Sequence, residues 1–351
     1  LDEAIQFIEK GGDDIENVDS IQLPRTYAND GPLGFTRDQV GGYFVRWSKD
    51  LSHEDYYTEE SEDKSAYGMA TMPTEPVVAA SLNTELIERQ GQLYGEDALW
   101  ANESSIFAPG SNLHRNPYCA RNHEYYSEDS MLSALLGNSL CIGGKSKGLM
   151  MEAKHLAFNH QESNRSGVST FMTEQAAREN ELRSFQLMMS ENNTAGVMTA
   201  FNRAGTSFVG AYKPLLVGIV RNEWGYKGWI NTDMINGADY MNWRDVTAGG
   251  GGNCLTTSAY DTSSIGTMAD SKSKIAKDMT FQEMMKYNLK FWMYQLAQSN
   301  AMNGISSTTE IQYVLTWYQK ALYGVTAAFG VLTVAFAAVG IMKSRKAKKQ
   351  A

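Results

Sequence analysis

Four short apolar runs end in polar side chains that could do chemistry. Arg115 closes SIFAPGSNLHR, Lys154 and His155 close GLMMEAKH, Asn202 follows AGVMTAF, and Asp233 follows KGWINT. A carboxylate in such a place can attack as a nucleophile or grip a hydroxyl. An ammonium or guanidinium donates charged hydrogen bonds, and an imidazole or second carboxyl can move a proton. Aromatic residues that could cover an apolar ring face are close by in sequence: Tyr118, Tyr125, Tyr126, Trp229 and Trp243. These are the groups that a polyhydroxylated ligand such as a sugar requires.

To act together, these residues need elements that bring them to one place. Each run has the length of a buried strand, and helical periodicity recurs between the runs. Helices are predicted at Asp2–Lys10, about Asp129–Leu140, Thr173–Ser190 with Thr173 as N-cap, Lys213–Asn222 and Phe281–Gln298. Strands alternating with helices imply parallel βα units, and a TIM-type (β/α) barrel of such units gathers its strand C-termini on one face. The competing doubly wound sheet lacks its fingerprint, since no GxGxxG follows a strand and Gly249–Gly252 has no P-loop lysine. Residues 51–63 read as a charged, solvated loop, and 255–275 as a polar Ser/Thr-rich stretch.

The charge is uneven. Of 31 basic residues five (Lys343, Arg345, Lys346, Lys348 and Lys349) lie in the last nine positions, leaving 26 bases against 40 acids in the rest. So acidic a body repels phosphates, which argues against a nucleic-acid partner. Cys119, Cys141 and Cys254 are odd in number and widely spaced, and define no metal or disulfide framework. The 22 residues Ala321–Met342 carry no charge. As a helix they span roughly 33 Å, enough for a bilayer core. Trp317, Tyr318 and Tyr323 at one end and the basic cluster at the other predict a single transmembrane helix, with the tail cytoplasmic and the preceding body extracytoplasmic.

The string NLHRNPYCARNHEYYSED (112–129), with KHLAFNHQESNR (154–165), VMTAFNRAGT (197–206), GWINTDM (228–234) and DGPLGF (30–35), resembles the barrel domain of glycoside hydrolase family 3. The resemblance runs from about Ile21 to Gly304. It implies an exo-acting retaining β-glycosidase, foremost a β-glucosidase, with Asp233 as nucleophile. It also implies that Asp30, Arg121, Lys154 and His155 bind the sugar, with Arg165 and Asn202 completing the wall. The sugar alternatives are a β-xylosidase or a β-N-acetylglucosaminidase. The alternative of another class is a surface carbohydrate-binding protein that has lost its chemistry. No cofactor or metal is implied, since the reaction needs two carboxyls. In most of the family the acid/base is a glutamate on a separate sandwich domain, which places it upstream in a longer precursor. His160 is the weaker candidate within these residues, and Glu162 and Glu174 stay open.

The domain boundaries expected from this reading are an N-terminal helix and linker at 1–20, the barrel at 21–304 and a juxtamembrane linker at 305–320. The transmembrane helix follows at 321–342 and the basic cytoplasmic tail at 343–351. The chain also departs from the family pattern. Ala120 stands where glycine is usual before the arginine, Ser130 replaces a proline, ARENELRSF (177–185) puts Asn180 and Glu181 at apolar positions, and GGGGNC (249–254) replaces AGTD.

Overall fold

A computed structural model describes residues 1–10, 14–15, 18–21, 23, 26–35, 72–101, 103–235, 239–255, 266–302, 315 and 317–348. The charged stretch 51–63 lies outside the described residues, as do parts of 255–275, 305–320 and 343–351. The chain divides into two units, Leu1–Ser307 and Thr308–Ala351.

The first unit is an α/β fold around a parallel sheet. Its strands β1 (Thr26–Asp30), β2 (Ser105–Phe107), β3 (Met150–Leu156), β4 (Gly196–Thr199) and β5 (Trp229–Thr232) pair in parallel in chain order. The two-residue strand Asp14–Ile15 caps the β1 edge antiparallel. At the other edge Asn231 bridges to Asn253. Among the described residues this ladder runs open, with five parallel strands where a closed barrel has eight. Every residue of β3 is buried, as expected of a parallel strand covered on both faces.

Between the strands lie α2 (Thr84–Ala101), α3 (Ser130–Ser146) and α4 (Arg183–Ser190), each packed on the next. Asp129 starts α3 by accepting the Leu132 N–H at 2.7 Å, an N-cap that closes the EYYSED string. The α2–α3 crossing is close. A Cβ on Gly91 would overlap the Leu140 carbonyl, and one on Gly143 would overlap that of Glu88. Under these helices Leu136, Leu140 and Phe185 are fully buried, each contributing roughly 1.5–3 kcal/mol of burial energy.

Three expectations need correction. The helix expected over Thr173–Ser190 starts as predicted, with Thr173 Oγ1 accepting the Ala176 N–H at 3.2 Å. It then widens into a π-turn at Ala177–Glu181 before α4. The polar departures explain this: Asn180 donates back to the Ala176 carbonyl at 3.1 Å, and Glu181 turns inward to meet Arg115 at 2.8 Å. The helix expected over Lys213–Asn222 is likewise π-helical, over Pro214–Glu223. Helix α1 (Asp2–Lys10) is no separate linker element, because Ile5 and Ile8 join the main core. It is held there by Cys254 N–H to Ile8 O (2.8 Å), Asn253 Nδ2 to Phe7 O (3.0 Å) and a Phe7–Trp292 ring contact at 4.0 Å.

Helix α5 (Trp243–Gly249) is capped by Asn242, and α6 (Met279–Leu296) takes the place of the helix expected at Phe281–Gln298, starting and ending two residues earlier. All three cysteines are buried, and none forms a disulfide among the described residues. The second unit contains α7 (Trp317–Lys348), in which Trp317–Lys343 is long and apolar enough to cross a membrane. Its apolar side chains, among them Leu322, Val325, Phe329, Leu332, Phe336 and Ile341, are exposed.

Candidate active site

The sheet delivers its polar ends to one cavity of about 420 Å³. Asp30 ends β1, Phe107 ends β2, Lys154 and His155 lie near the end of β3, Met198 is on β4, and Asp233 directly follows β5. The parallel register explains the convergence, since Asp30 pairs with Phe107 and Lys154 with Met198. Asp233 is held by its own N–H, which donates to the Thr199 carbonyl at 2.9 Å. Loops add Arg121, Glu162, Arg165, Met234 and Leu255.

The charged groups form a linked set. Buried Lys154 Nζ donates to Asp30 Oδ1, whose side chain is half exposed. Arg121 pairs with Glu124 at 2.6 Å and lies 3.9 Å from Glu162, which in turn pairs with Arg165 at 2.7 Å. The Arg165 guanidinium stacks 4.3 Å above the Phe201 ring. His155 Nε2 is 3.5 Å from Asp233 Oδ2. Burial, reinforced by the cations Arg121, Lys154 and Arg165, pushes the His155 pKa well below its ordinary value, so the imidazole is neutral. Burial raises the Asp233 pKa. The Met234 N–H at 2.8 Å and the charges of Arg165, Arg121 and Lys154 work against that rise. The arrangement offers a desolvated carboxylate facing a cavity whose cations and anions can donate to and accept from hydroxyls.

Six of the residues expected from sequence therefore share one wall: Asp30, Arg121, Lys154, His155, Arg165 and Asp233. Two expected residues do not reach it. Asn202 is fully buried and donates to the Ala157 carbonyl at 3.2 Å, tying the ends of β3 and β4 together. His160 faces away, with Nε2 3.2 Å from Glu181 Oε2. Glu174 lies in the first turn after the Thr173 cap. Of the aromatics, Tyr125, Tyr126, Trp229 and Trp243 are core residues, whereas Tyr118 is 88% exposed. Phe107, Met198, Met234 and Leu255 supply the apolar lining instead, and nothing in their sequence setting singles them out.

The departure at Ala120 has a physical cost. Its φ is +70°, a left-handed conformation that glycine adopts freely and alanine does not. Ala120→Gly is expected to stabilise the fold by about 1 kcal/mol, relief of strain outweighing the greater freedom of the unfolded chain. For the unit Leu1–Ser307 that is a rise in Tm of roughly 1–2 °C, measurable by calorimetry.

Comparison with known proteins points the same way as the cavity. The family model described as glycosyl hydrolase family 3 N terminal domain matches residues 60–246. Probable beta-glucosidase I of Aspergillus flavus is 36% identical over 164 residues, 47% of this chain and 20% of that protein. Thermostable beta-glucosidase B of Acetivibrio thermocellus is 31% identical over 216 residues, 62% of this chain and 26% of that protein. The chain thus spans about a fifth to a quarter of the length of these curated relatives. Among solved structures, beta-glucosidase 3B from Thermotoga neapolitana in complex with glucose superposes with a TM-score of 0.73 at 25% identity, over 87% of this chain and 42% of that one.

Proposed function

Because the chain belongs to glycosyl hydrolase family 3 through its N-terminal domain, we propose that it is an exo-acting retaining β-glucosidase built on a (β/α) barrel. The observation that carries this reading is the desolvated Asp233 facing a cavity walled by Asp30, Lys154, Arg121 and Arg165. Asp233 attacks the anomeric carbon as the bond to the leaving oxygen breaks, forming a glycosyl-enzyme. Water then displaces the carboxylate with net retention. Asp30 accepts hydrogen bonds from sugar hydroxyls, and Lys154, Arg121 and Arg165 donate them. Neutral His155 orients the sugar beside Asp233. The other two cavity carboxylates, Asp30 and Glu162, are each held by a cation, which suits binding better than proton donation. The general acid in this reading comes from a separate domain of the same protein. Glucose is favoured over xylose and N-acetylglucosamine because the named relatives are β-glucosidases. Helix α7 serves as a single bilayer anchor, with its basic end cytoplasmic.

The test uses 2,4-dinitrophenyl β-glucoside, whose leaving group departs without protonation. A stoichiometric burst of phenolate, with a glycosyl adduct on Asp233 located by mass spectrometry, supports the reading. Sugar binding by calorimetry without burst or adduct would favour a carbohydrate-binding protein. Absence of both would end the proposal.

A further inference from the structure

Beneath the cavity sits a carboxyl group that the proposed chemistry does not use. Glu75, in the first turn of the short helix Glu75–Ala79, is 2% exposed. Its Oε1 accepts the Gly110 N–H at 3.0 Å, while Oε2 has no hydrogen-bond partner among the described residues. Gly110 lies within Pro109–Ser111, and this segment brackets Lys154. The Lys154 N–H donates to the Pro109 carbonyl at 2.8 Å, and the Ser111 N–H donates to the Lys154 carbonyl at 2.6 Å. The segment has no slack, because any Cβ on Gly110 would overlap the Glu124 carbonyl.

We infer that Glu75 is a positioning residue: through Gly110 it holds Pro109–Ser111 in register and so fixes the backbone of Lys154, whose ammonium grips Asp30 at the cavity wall. The importance of Lys154 for sugar binding rests on the proposed function; the mechanical link from Glu75 to Lys154 does not. Burial raises the Glu75 pKa well above its ordinary value. The Gly110 N–H and Lys154 oppose the rise and Glu124 adds to it. The other titratable neighbours are Tyr94 on α2, Tyr126 in the segment before α3, and Cys141 on α3. Burial thus favours the uncharged form of Glu75, whose Oε1 accepts the Gly110 N–H.

A carboxyl with a raised folded-state pKa keeps a proton that the unfolded chain has released. Its contribution to stability is whole below the ordinary glutamate range and is lost as pH rises toward the folded value. Glu75→Gln keeps the acceptor oxygen and removes this dependence. The experiment compares Glu75→Gln and Glu75→Ala with the wild-type full chain. It reads amide hydrogen exchange at Ser111 and Lys154, the rate at which the dinitrophenyl glucoside labels Asp233, and Tm from about pH 5 to about pH 8.

Glu75→Ala is expected to exchange both amides about tenfold faster and to label about tenfold more slowly. Glu75→Gln should stay within about twofold of wild type in both, with a Tm advantage over wild type that widens as pH rises. Wild-type exchange and labelling in Glu75→Ala would overturn the inference, as would Glu75→Gln failing alongside it. If wild type itself takes no label, the proposed function falls, and the exchange arm still decides the role of Glu75.

Discussion

Replacing Asp233 by alanine is expected to lower turnover of 2,4-dinitrophenyl β-glucoside by about four orders of magnitude or more, with glucose affinity changed only a few-fold. In the proposed mechanism the carboxylate supplies the attacking oxygen for the new bond, so no neighbour can substitute for it. The binding groups Asp30, Arg121, Lys154 and Arg165 are on other elements and stay in place. Added azide should restore part of the rate. It enters the space the side chain leaves and attacks the anomeric carbon as the aryl oxide departs, which gives the α-glucosyl azide with inverted configuration. Steady-state kinetics and NMR of the product check this. A variant that keeps its rate within about tenfold, or an azide product of retained configuration, would remove Asp233 from the nucleophile's role.

Lys154→Met carries the second large effect. Methionine fills the volume of this 2% exposed side chain and takes away its charge and its bond to Asp30. Losing a charged hydrogen bond to the sugar site is expected to lower kcat/KM by about 10²-fold. A second signature is independent of that loss. Burial holds the Asp233 pKa up, and Lys154 is among the cations that oppose it. Without Lys154 the pKa rises further, so the acid limb of the kcat/KM profile moves to higher pH. An unmoved acid limb would show that the ammonium acts on the sugar alone.

Much of the site was legible because a parallel strand ends where its chemistry begins. Lys154, His155 and Asp233 could be placed from the apolar runs before them, and Asp30 and Arg121 only through the family resemblance that the segments around them carry. What could not be read lies off the strands. Glu162 shares the cavity because Arg165 and Asn159 hold it there at 2.7 and 3.1 Å, contacts made within a loop that has no periodicity. Asn202 was misplaced because its position looks like that of Asp233, yet its amide is spent on the Ala157 carbonyl. The π-turn at Ala177–Glu181 follows from Glu181 seeking Arg115, a partner 66 residues away that local pattern cannot show. The sheet's order was inferable from alternation, while its edges depend on the distant pairings of Asp14 and Asn253.

The docking of α1 has a consequence for how the chain is made. Its hydrogen bond from Asn253 joins residues 246 apart, and its residues Ile5 and Ile8 belong to the main buried core. During vectorial synthesis at about 5–20 residues per second, α1 waits roughly 12–50 s before that partner strand is available. Through that interval its apolar face has no native surface to cover it, and loop closure over so long a separation comes late and slowly. The helix that completes the body is therefore a segment in need of a chaperone, and apolar-to-charged changes at Ile5 or Ile8 would alter yield during synthesis as well as the stability of the finished fold.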